Sequence, residues 1–332
     1  MKKRDFYFDN LKALLIIAVI IGNSLEYANP TSIDVHYFIL FLYIFHMPLF
    51  TFVSGYFCTK SKRSTQEKVV YILKIYLFAQ VFYYILERVI LKNITHSFDL
   101  FSSQWTLWYL LSLMCWYIIS DFVKNKKKWL IGSILVSLLI GFDNGIGSYA
   151  SISRTFFFLP FFIAGMCFKK EYIDELKKYK YKLFAGSALI LITLYIISDN
   201  LPVELLFEYT KYKFYFDSAI FPLSVRIFHY IGAFTLGAFI LILVPENKMP
   251  LHSIGANSLV MYICHSGIIK IIYPFSFIRY STPLRVFISE AIILGATILF
   301  TVLFVKVKEL YKENLKLKNL DINKNGQAVL DK

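Results

Sequence analysis

The chain is short of charge. Asp, Glu, Lys and Arg together make up 17% of its 332 residues, where a soluble domain carries about a quarter. A water-soluble helical protein of this length does not fit that balance. The four cysteines, Cys58, Cys115, Cys167 and Cys264, stand singly inside apolar segments. They show neither metal-ligand nor disulfide-framework spacing, so they read as small apolar packing residues, and no metal is expected. There is no internal repeat, and there are no paired interrupted helices of the kind that mark many transporters. The first apolar run shows no small-residue cleavage site, so it is not expected to be a cleaved signal peptide. That run follows Met1-Lys2-Lys3-Arg4 and reads as a signal anchor.

What the chain has in quantity is apolar surface. Hydrophobic residues make up 57% and aromatics 18%, and the mean hydropathy is +0.57. Apolar runs long enough to cross a bilayer recur along the whole sequence. They predict an all-α, polytopic membrane bundle of about ten helices, near 9–29, 35–58, 69–92, 104–123, 129–148, 154–169, 183–200, 221–244, 255–275 and 283–306. The membrane unit is expected over 1–308. The polar, Lys/Asn-rich segment 309–332 is expected to fray as a tail, and no soluble catalytic domain is expected.

The net charge of +14 would point to nucleic acid in a soluble protein. Here the cations fall on alternate sides of the apolar runs. One side holds Lys2, Lys3 and Arg4; Lys60, Lys62, Arg63 and Lys68; Lys124 to Lys128; Lys169 to Lys182; Lys248; and the segment from Lys306 to Lys332. The other side holds chiefly Lys92, Arg154, Lys211, Lys213 and Arg279. That asymmetry places both termini in the cytoplasm, with anionic lipid contact as a secondary effect and no nucleic-acid partner. The longest loop on the opposite side, 201–220, mixes aromatic and charged residues and is expected to hold a short interfacial helix.

Polar residues inside hydrocarbon are costly, so those present mark chemistry, a path or a partnered site. Asp9 and Lys12 are i, i+3 on the first helix and close enough to pair. Asn23 lies fourteen residues after Asp9, roughly 21 Å along the axis at a helical rise, with Glu26 one turn beyond. Their plain alternative is an interfacial salt bridge and a packing amide. The second helix carries Phe45-His46-Met47-Pro48-Leu49-Phe50, then Ser54-Gly55-Tyr56-Phe57, then Lys60-Ser61-Lys62-Arg63. Pro48 removes a backbone donor near His46, and Gly55 permits close backbone approach. The basic tetrad would suit a phosphorylated ligand, or serve only as topological anchoring. Ser258, Tyr262 and His265 share one face of the ninth helix and form a polar stripe. Arg154 reads as snorkelling, and Trp105 and Trp108 as belt aromatics, unless a site recruits them. Arg226 and His229 are a buried pair or a helix end, and Asn93-Ile94-Thr95 fits a glycosylation sequon.

In this order the motifs resemble the acyltransferase-3 family of multi-span membrane acyltransferases, in particular its fucose-acetylase-like, polysaccharide-modifying branch. The matching segments are Asp9 with Lys12, His46–Phe50, Ser54–Phe57, Lys60–Arg63, Leu107–Leu110, Arg154 with Leu159–Gly165, and Asn257–His265. The resemblance implies a membrane O-acyltransferase that takes an acetyl group from cytoplasmic acetyl-CoA to a sugar hydroxyl of a surface or lipid-linked glycan. The expected location is a bacterial plasma membrane. It also implies CoA contacts at Ser54, Tyr56, Lys60, Lys62 and Arg63, chemistry at Asn23, Glu26, His46 and His265, and positioning by Asp9, Lys12, Trp108, Arg154 and Ser258. One position departs from the pattern. Where the family carries its active His, this chain has Asn23, and an amide cannot act as a base near neutral pH. Three readings stay open: His46 or Glu26 serves as base, the protein is a non-catalytic relative, or an active enzyme has been altered. A transporter or flippase for a glycan or acyl-carrying lipid is the reading from another class.

Overall fold

A computed structural model describes residues 5–28, 32–93, 97–143, 145, 149–274 and 282–330. Lys2, Lys3, Arg4, Arg279, Lys332 and the Ile94-Thr95 part of the sequon lie outside them. Within the described residues the chain is helical. The elements are α1 (Phe6–Ala28), α2 (Ile33–Lys60), α3 (Thr65–Ile85), α4 (Trp108–Ser120), α5 (Lys126–Ile140), α6 (Ile152–Cys167), α7 (Tyr172–Lys177), α8 (Lys180–Ile197), α9 (Ile220–Leu243), α10 (His252–Ala256), α11 (Ser258–Ile272) and α12 (Pro283–Leu330). A π-turn, Leu86–Ile90, extends α3, and a 3₁₀ turn, Trp105–Leu107, leads into α4.

Apart from the short α7 and α10, these are the ten helices expected from the apolar runs. Seven are long and apolar enough to span a bilayer, while Trp105–Ser120 and Ser258–Ile272 are shorter apolar helices. Local chemistry sets several ends. Ser64 and Glu67 form a reciprocal capping box that starts α3 at Thr65. The Asn125 side chain accepts from the Lys128 amide at 3.1 Å and starts α5. α2 continues through Pro48, and α6 through Pro160.

α12 is helical from Pro283 to Leu330. One expectation changes. The loop 201–220 holds two 3₁₀ turns, Val203–Phe207 and Tyr212–Phe214, in place of one interfacial helix. Its carboxylate Glu208 turns inward, in a left-handed conformation with φ 58°.

The helices differ in how much of themselves they bury. The apolar stretches of α1 and α2 are 61% and 72% buried, whereas those of α8 and α12 are each 22% buried. Outward-facing Phe78, Ile131, Leu139, Ile196 and Leu299 are well exposed. An apolar belt of this kind needs lipid around it. The protein is therefore a multi-pass membrane bundle with α1, α2 and α6 at its centre.

Two core clusters flank α1. One joins it to α3, α4, α6 and α11, the other to α2, α8 and α9. α2 crosses α6 with backbones nearly touching. A methyl group on Gly55 would overlap the Phe162 carbonyl, and one on Gly165 would overlap the Phe52 carbonyl. This small-residue contact holds α2 in the register that aims His46 and Ser54 inward.

Candidate functional site

Two cavities lie along α1, α2, α4 and α11. The first, here the histidine cavity, has a volume of about 280 Å³ and is bordered by Asn23, Glu26, Tyr43, His46, Trp108 and Arg154. The second, the basic cavity, has a volume of about 340 Å³ and is bordered by Lys12, Ser54, Arg63, Lys68, Tyr117 and Ser258. Ser61 and Arg63 at its edge are exposed, so it opens at the α2–α3 turn.

In the histidine cavity the hydrogen bonds fix how each polar group presents itself. The Asn23 Nδ2 lies 3.0 Å from His265 Nε2, and Asn23 Oδ1 accepts from the Tyr43 hydroxyl at 2.9 Å. His265 Nδ1 lies 2.7 Å from the Tyr262 carbonyl. A carbonyl can only accept, so Nδ1 carries the ring proton and Nε2 accepts from the Asn23 amide. The side chain that replaces the family's His is thus held at both ends, and His265 has no free basic nitrogen.

His46 differs. Its Nδ1 donates to the Leu42 carbonyl, one turn back on α2. That leaves Nε2 as the ring nitrogen to which no group among the described residues is bonded. The ring is buried, borders the cavity and sits edge-on to Tyr43 with centroids 4.8 Å apart. Of the four residues expected to carry chemistry, His46 is therefore the one whose geometry suits a proton acceptor. Glu26 is the second candidate. It borders the same cavity, and its Oε2 is buried with no hydrogen-bond partner among the described residues.

Arg154 is not a snorkelling residue. Its guanidinium lies between the rings of Trp108 and Tyr209, at 4.7 and 4.9 Å from their centroids. Its Nε donates to the Phe207 carbonyl at 2.9 Å. Trp108 in turn stacks on Phe158. The loop that supplies Phe207 and Tyr209 is pinned by Glu208, whose carboxylate takes Arg226 Nε at 2.6 Å and His229 Nδ1 at 3.0 Å. Arg226 also donates to the Ser137 carbonyl. Arg226 and His229 are thus a buried pair with a loop carboxylate between them. They offset the cost of its left-handed backbone and of burying its charge.

Around the basic cavity three cations lie against aromatic rings. Lys12 is over Phe57 at 5.5 Å, Arg63 over Tyr71 at 5.4 Å and Lys68 over Tyr117 at 5.3 Å. Lys12 also pairs with Asp9 at 3.0 Å, as the i, i+3 spacing implied. Ser54 Oγ lies 2.6 Å from the Tyr109 hydroxyl. Of the expected CoA contacts, Ser54 and Arg63 border this cavity. Tyr56, Lys60 and Lys62 do not: Tyr56 stacks on Phe8 with centroids 4.3 Å apart, and Lys60 lies over the Tyr56 ring, 5.5 Å from its centroid. Lys12, Lys68 and Tyr71 border the cavity as well. Lys68 stands with Lys60, Lys62 and Arg63 in one basic cluster of the sequence, and that cluster was the signal for it.

The expected positions of Trp108, Arg154 and Ser258 all fall at one cavity or the other. Tyr43 and Tyr209 complete the lining of the histidine cavity without having stood out in the sequence, whereas Tyr262, a member of the expected Ser258–Tyr262–His265 stripe, borders both cavities.

Comparison with known proteins gives the family of the chain. Over 181 residues the chain is 28% identical to nodulation protein NolL of Sinorhizobium fredii (strain NBRC 101917 / NGR234), an alignment covering 48% of this chain and 49% of that protein. The chain thus spans about half the length of the curated relative it matches. No solved structure matches it. The model of the acyltransferase-3 family, described as an acyltransferase domain, matches residues 5–306. That match takes in all the helices that build the two cavities, and the chain belongs to the acyltransferase-3 family.

Proposed function

We propose that this protein is a membrane O-acyltransferase that carries an acetyl group from acetyl-CoA in the basic cavity to a sugar hydroxyl in the histidine cavity. The observation that carries the reading is the stacking of these two unlike cavities on the same four helices. One is rimmed by cations, as a nucleotide with several phosphates requires. The other holds an imidazole with an unbonded Nε2, a carboxyl group and an aromatic-clamped arginine, a set suited to binding and deprotonating a hydroxyl.

In this reading Arg63 and Lys68 take the CoA phosphates, with Lys12 deeper in the cavity. The pantetheine arm runs inward past Ser54. His46 Nε2 removes the proton from the acceptor hydroxyl as its oxygen attacks the thioester carbon. Arg154, with Trp108 and Tyr209, holds the sugar, and Asn23 fixes His265 and Tyr43 around the reacting centre. The protein's buried surround keeps water from the thioester. The side bearing Lys60, Lys62 and Arg63 is the cytoplasm by the charge asymmetry, so the acceptor is a cell-surface or lipid-linked glycan. The membrane is then a bacterial plasma membrane.

The test is transfer by the purified full-length protein in detergent, with labelled acetyl-CoA and a panel of hexoside acceptors. Labelled O-acetyl sugar with release of one CoA thiol per transfer is the expected result. Movement of an unmodified glycan across proteoliposomes, with no CoA released, would instead establish the transporter reading.

A further inference from the structure

The two cavities share one bordering side chain among the described residues, Tyr262. On α2, Tyr43 and His46 face the histidine cavity, and Ser54 and Phe57 face the basic one. On α4 the change comes between Trp108 and Tyr109. Tyr262 therefore stands where one cavity ends and the next begins.

The phenol is held closed. It is 4% exposed. Its hydroxyl donates to the Thr106 carbonyl, in the turn before α4. Its ring meets that of Tyr109 edge-on, with centroids 5.6 Å apart and planes at 61°. Its own carbonyl anchors His265 Nδ1 at 2.7 Å. The backbone of Tyr262 is thus fixed by the hydrogen-bonded chain through His265 to Asn23, while the ring is tethered by one hydroxyl. Such a side chain can swing about its χ angles without disturbing the helix that carries it.

We propose that Tyr262 is the partition the acyl group must pass, and that its ring sets the largest acyl group this protein transfers. The inference rests on the reading of the two cavities as donor and acceptor sites. In the transfer, the acceptor oxygen forms a bond to the thioester carbonyl carbon and the carbon–sulfur bond breaks. The hydroxyl proton passes to His46 Nε2 and from there to the departing thiolate, which leaves as the CoA thiol. With CoA entering from the basic cavity, the carbonyl carbon comes within reach of His46 only when the end of the pantetheine arm lies against Tyr262. An acetyl group then needs the ring edge displaced. A longer chain needs the volume the ring itself occupies. Each methylene without room lowers the rate by about 10- to 200-fold.

The experiment measures CoA thiol release and acyl-sugar formation from acetyl-, propionyl- and butyryl-CoA, with p-nitrophenyl hexosides as acceptor probes. It uses the full-length protein and its Tyr262→Phe, Tyr262→Leu and Tyr262→Ala variants. The unaltered protein is expected to favour acetyl over propionyl by at least about tenfold and over butyryl by at least about a hundredfold. Tyr262→Phe keeps the ring and keeps that order. Tyr262→Ala, or Tyr262→Leu should the alanine variant not fold, narrows the acetyl-to-butyryl ratio by about tenfold or more. A wild-type protein indifferent to chain length overturns the proposal, as does a ratio unchanged in a folded variant that still transfers acetyl. Failure of the unaltered protein to release CoA from any of the three overturns the donor-site reading beneath it, and this proposal with it.

Discussion

Replacing His46 by Asn probes the proton transfer with little disturbance elsewhere. The His46 ring uses Nδ1 to donate to the Leu42 carbonyl and leaves Nε2 for the cavity. An Asn side chain in the same rotamer keeps an N–H for Leu42 but offers no nitrogen that can take a proton. Stability should change little, because the buried donor is still present. Catalysis should not survive so well. A positioned general base contributes about 10²- to 10⁴-fold, which at about 1.36 kcal/mol per tenfold is roughly 2.7–5.5 kcal/mol of barrier. The KM for acetyl-CoA should stay within about threefold, since the cations that would bind the phosphates border the other cavity. The assay is steady-state CoA release together with mass detection of the acetylated sugar, on protein of confirmed thermal stability. Asn23→Ala, which removes a positioning amide, should cost less than His46→Asn. A His46→Asn protein that keeps more than a tenth of kcat, alongside an Asn23→Ala protein that is inactive, would refute the assignment of the base. That outcome would return the role to the α1 position and its neighbour Glu26.

Two further expectations follow from the packing. Arg63 borders the basic cavity and Lys60 does not, so Arg63→Ala should weaken acetyl-CoA binding by roughly 10- to 100-fold, the worth of a charge-assisted contact. Lys60→Ala should change it by less than about threefold, with calorimetry on the purified protein as the check. At the α2–α6 crossing, Gly165→Ala places a methyl group on the Phe52 carbonyl and should cost about 1–3 kcal/mol or more, read as a lowered unfolding temperature in detergent. Gly132→Ala, whose added methyl meets nothing within 4 Å, should be neutral or stabilise by up to about 1 kcal/mol.

The helices were legible because long apolar runs leave a chain few alternatives in a bilayer. α2 was expected near 35–58 and spans Ile33–Lys60; α9 was expected near 221–244 and spans Ile220–Leu243. The start of α3 came four residues early because the Ser64–Glu67 capping box overrides the polar look of Thr65-Gln66-Glu67-Lys68. The turn that separates α10 from α11 at Asn257 left no mark in the hydropathy pattern.

At the site, His46, Asn23, Glu26 and Arg154 stood out because each is a polar group in an apolar setting, where it needs a reason. The tyrosines did not. With 24 of them in the chain, and with interfaces that favour the residue in any membrane protein, nothing in the spacing separates the cavity-lining Tyr43 and Tyr209 from the rest; Tyr262 alone was marked, by the i, i+4, i+7 stripe it forms with Ser258 and His265. Tyr56 shows the converse: its neighbours on α2 suggested the donor site, but its ring turns the other way to stack on Phe8. Glu208 was illegible for a different reason. Its partners Arg226 and His229 lie on α9, and only the folded loop, with its left-handed residue, brings the carboxylate between them.

The most direct measurement separates the two reactants by a membrane. Proteoliposomes of the full-length protein, with acetyl-CoA supplied only on the side of the α2–α3 turn and a hexoside acceptor only on the other, should yield acetylated sugar in the acceptor compartment. His46→Asn vesicles should yield at least about a hundredfold less. Product formed only when donor and acceptor share one side would contradict a single path running through both cavities.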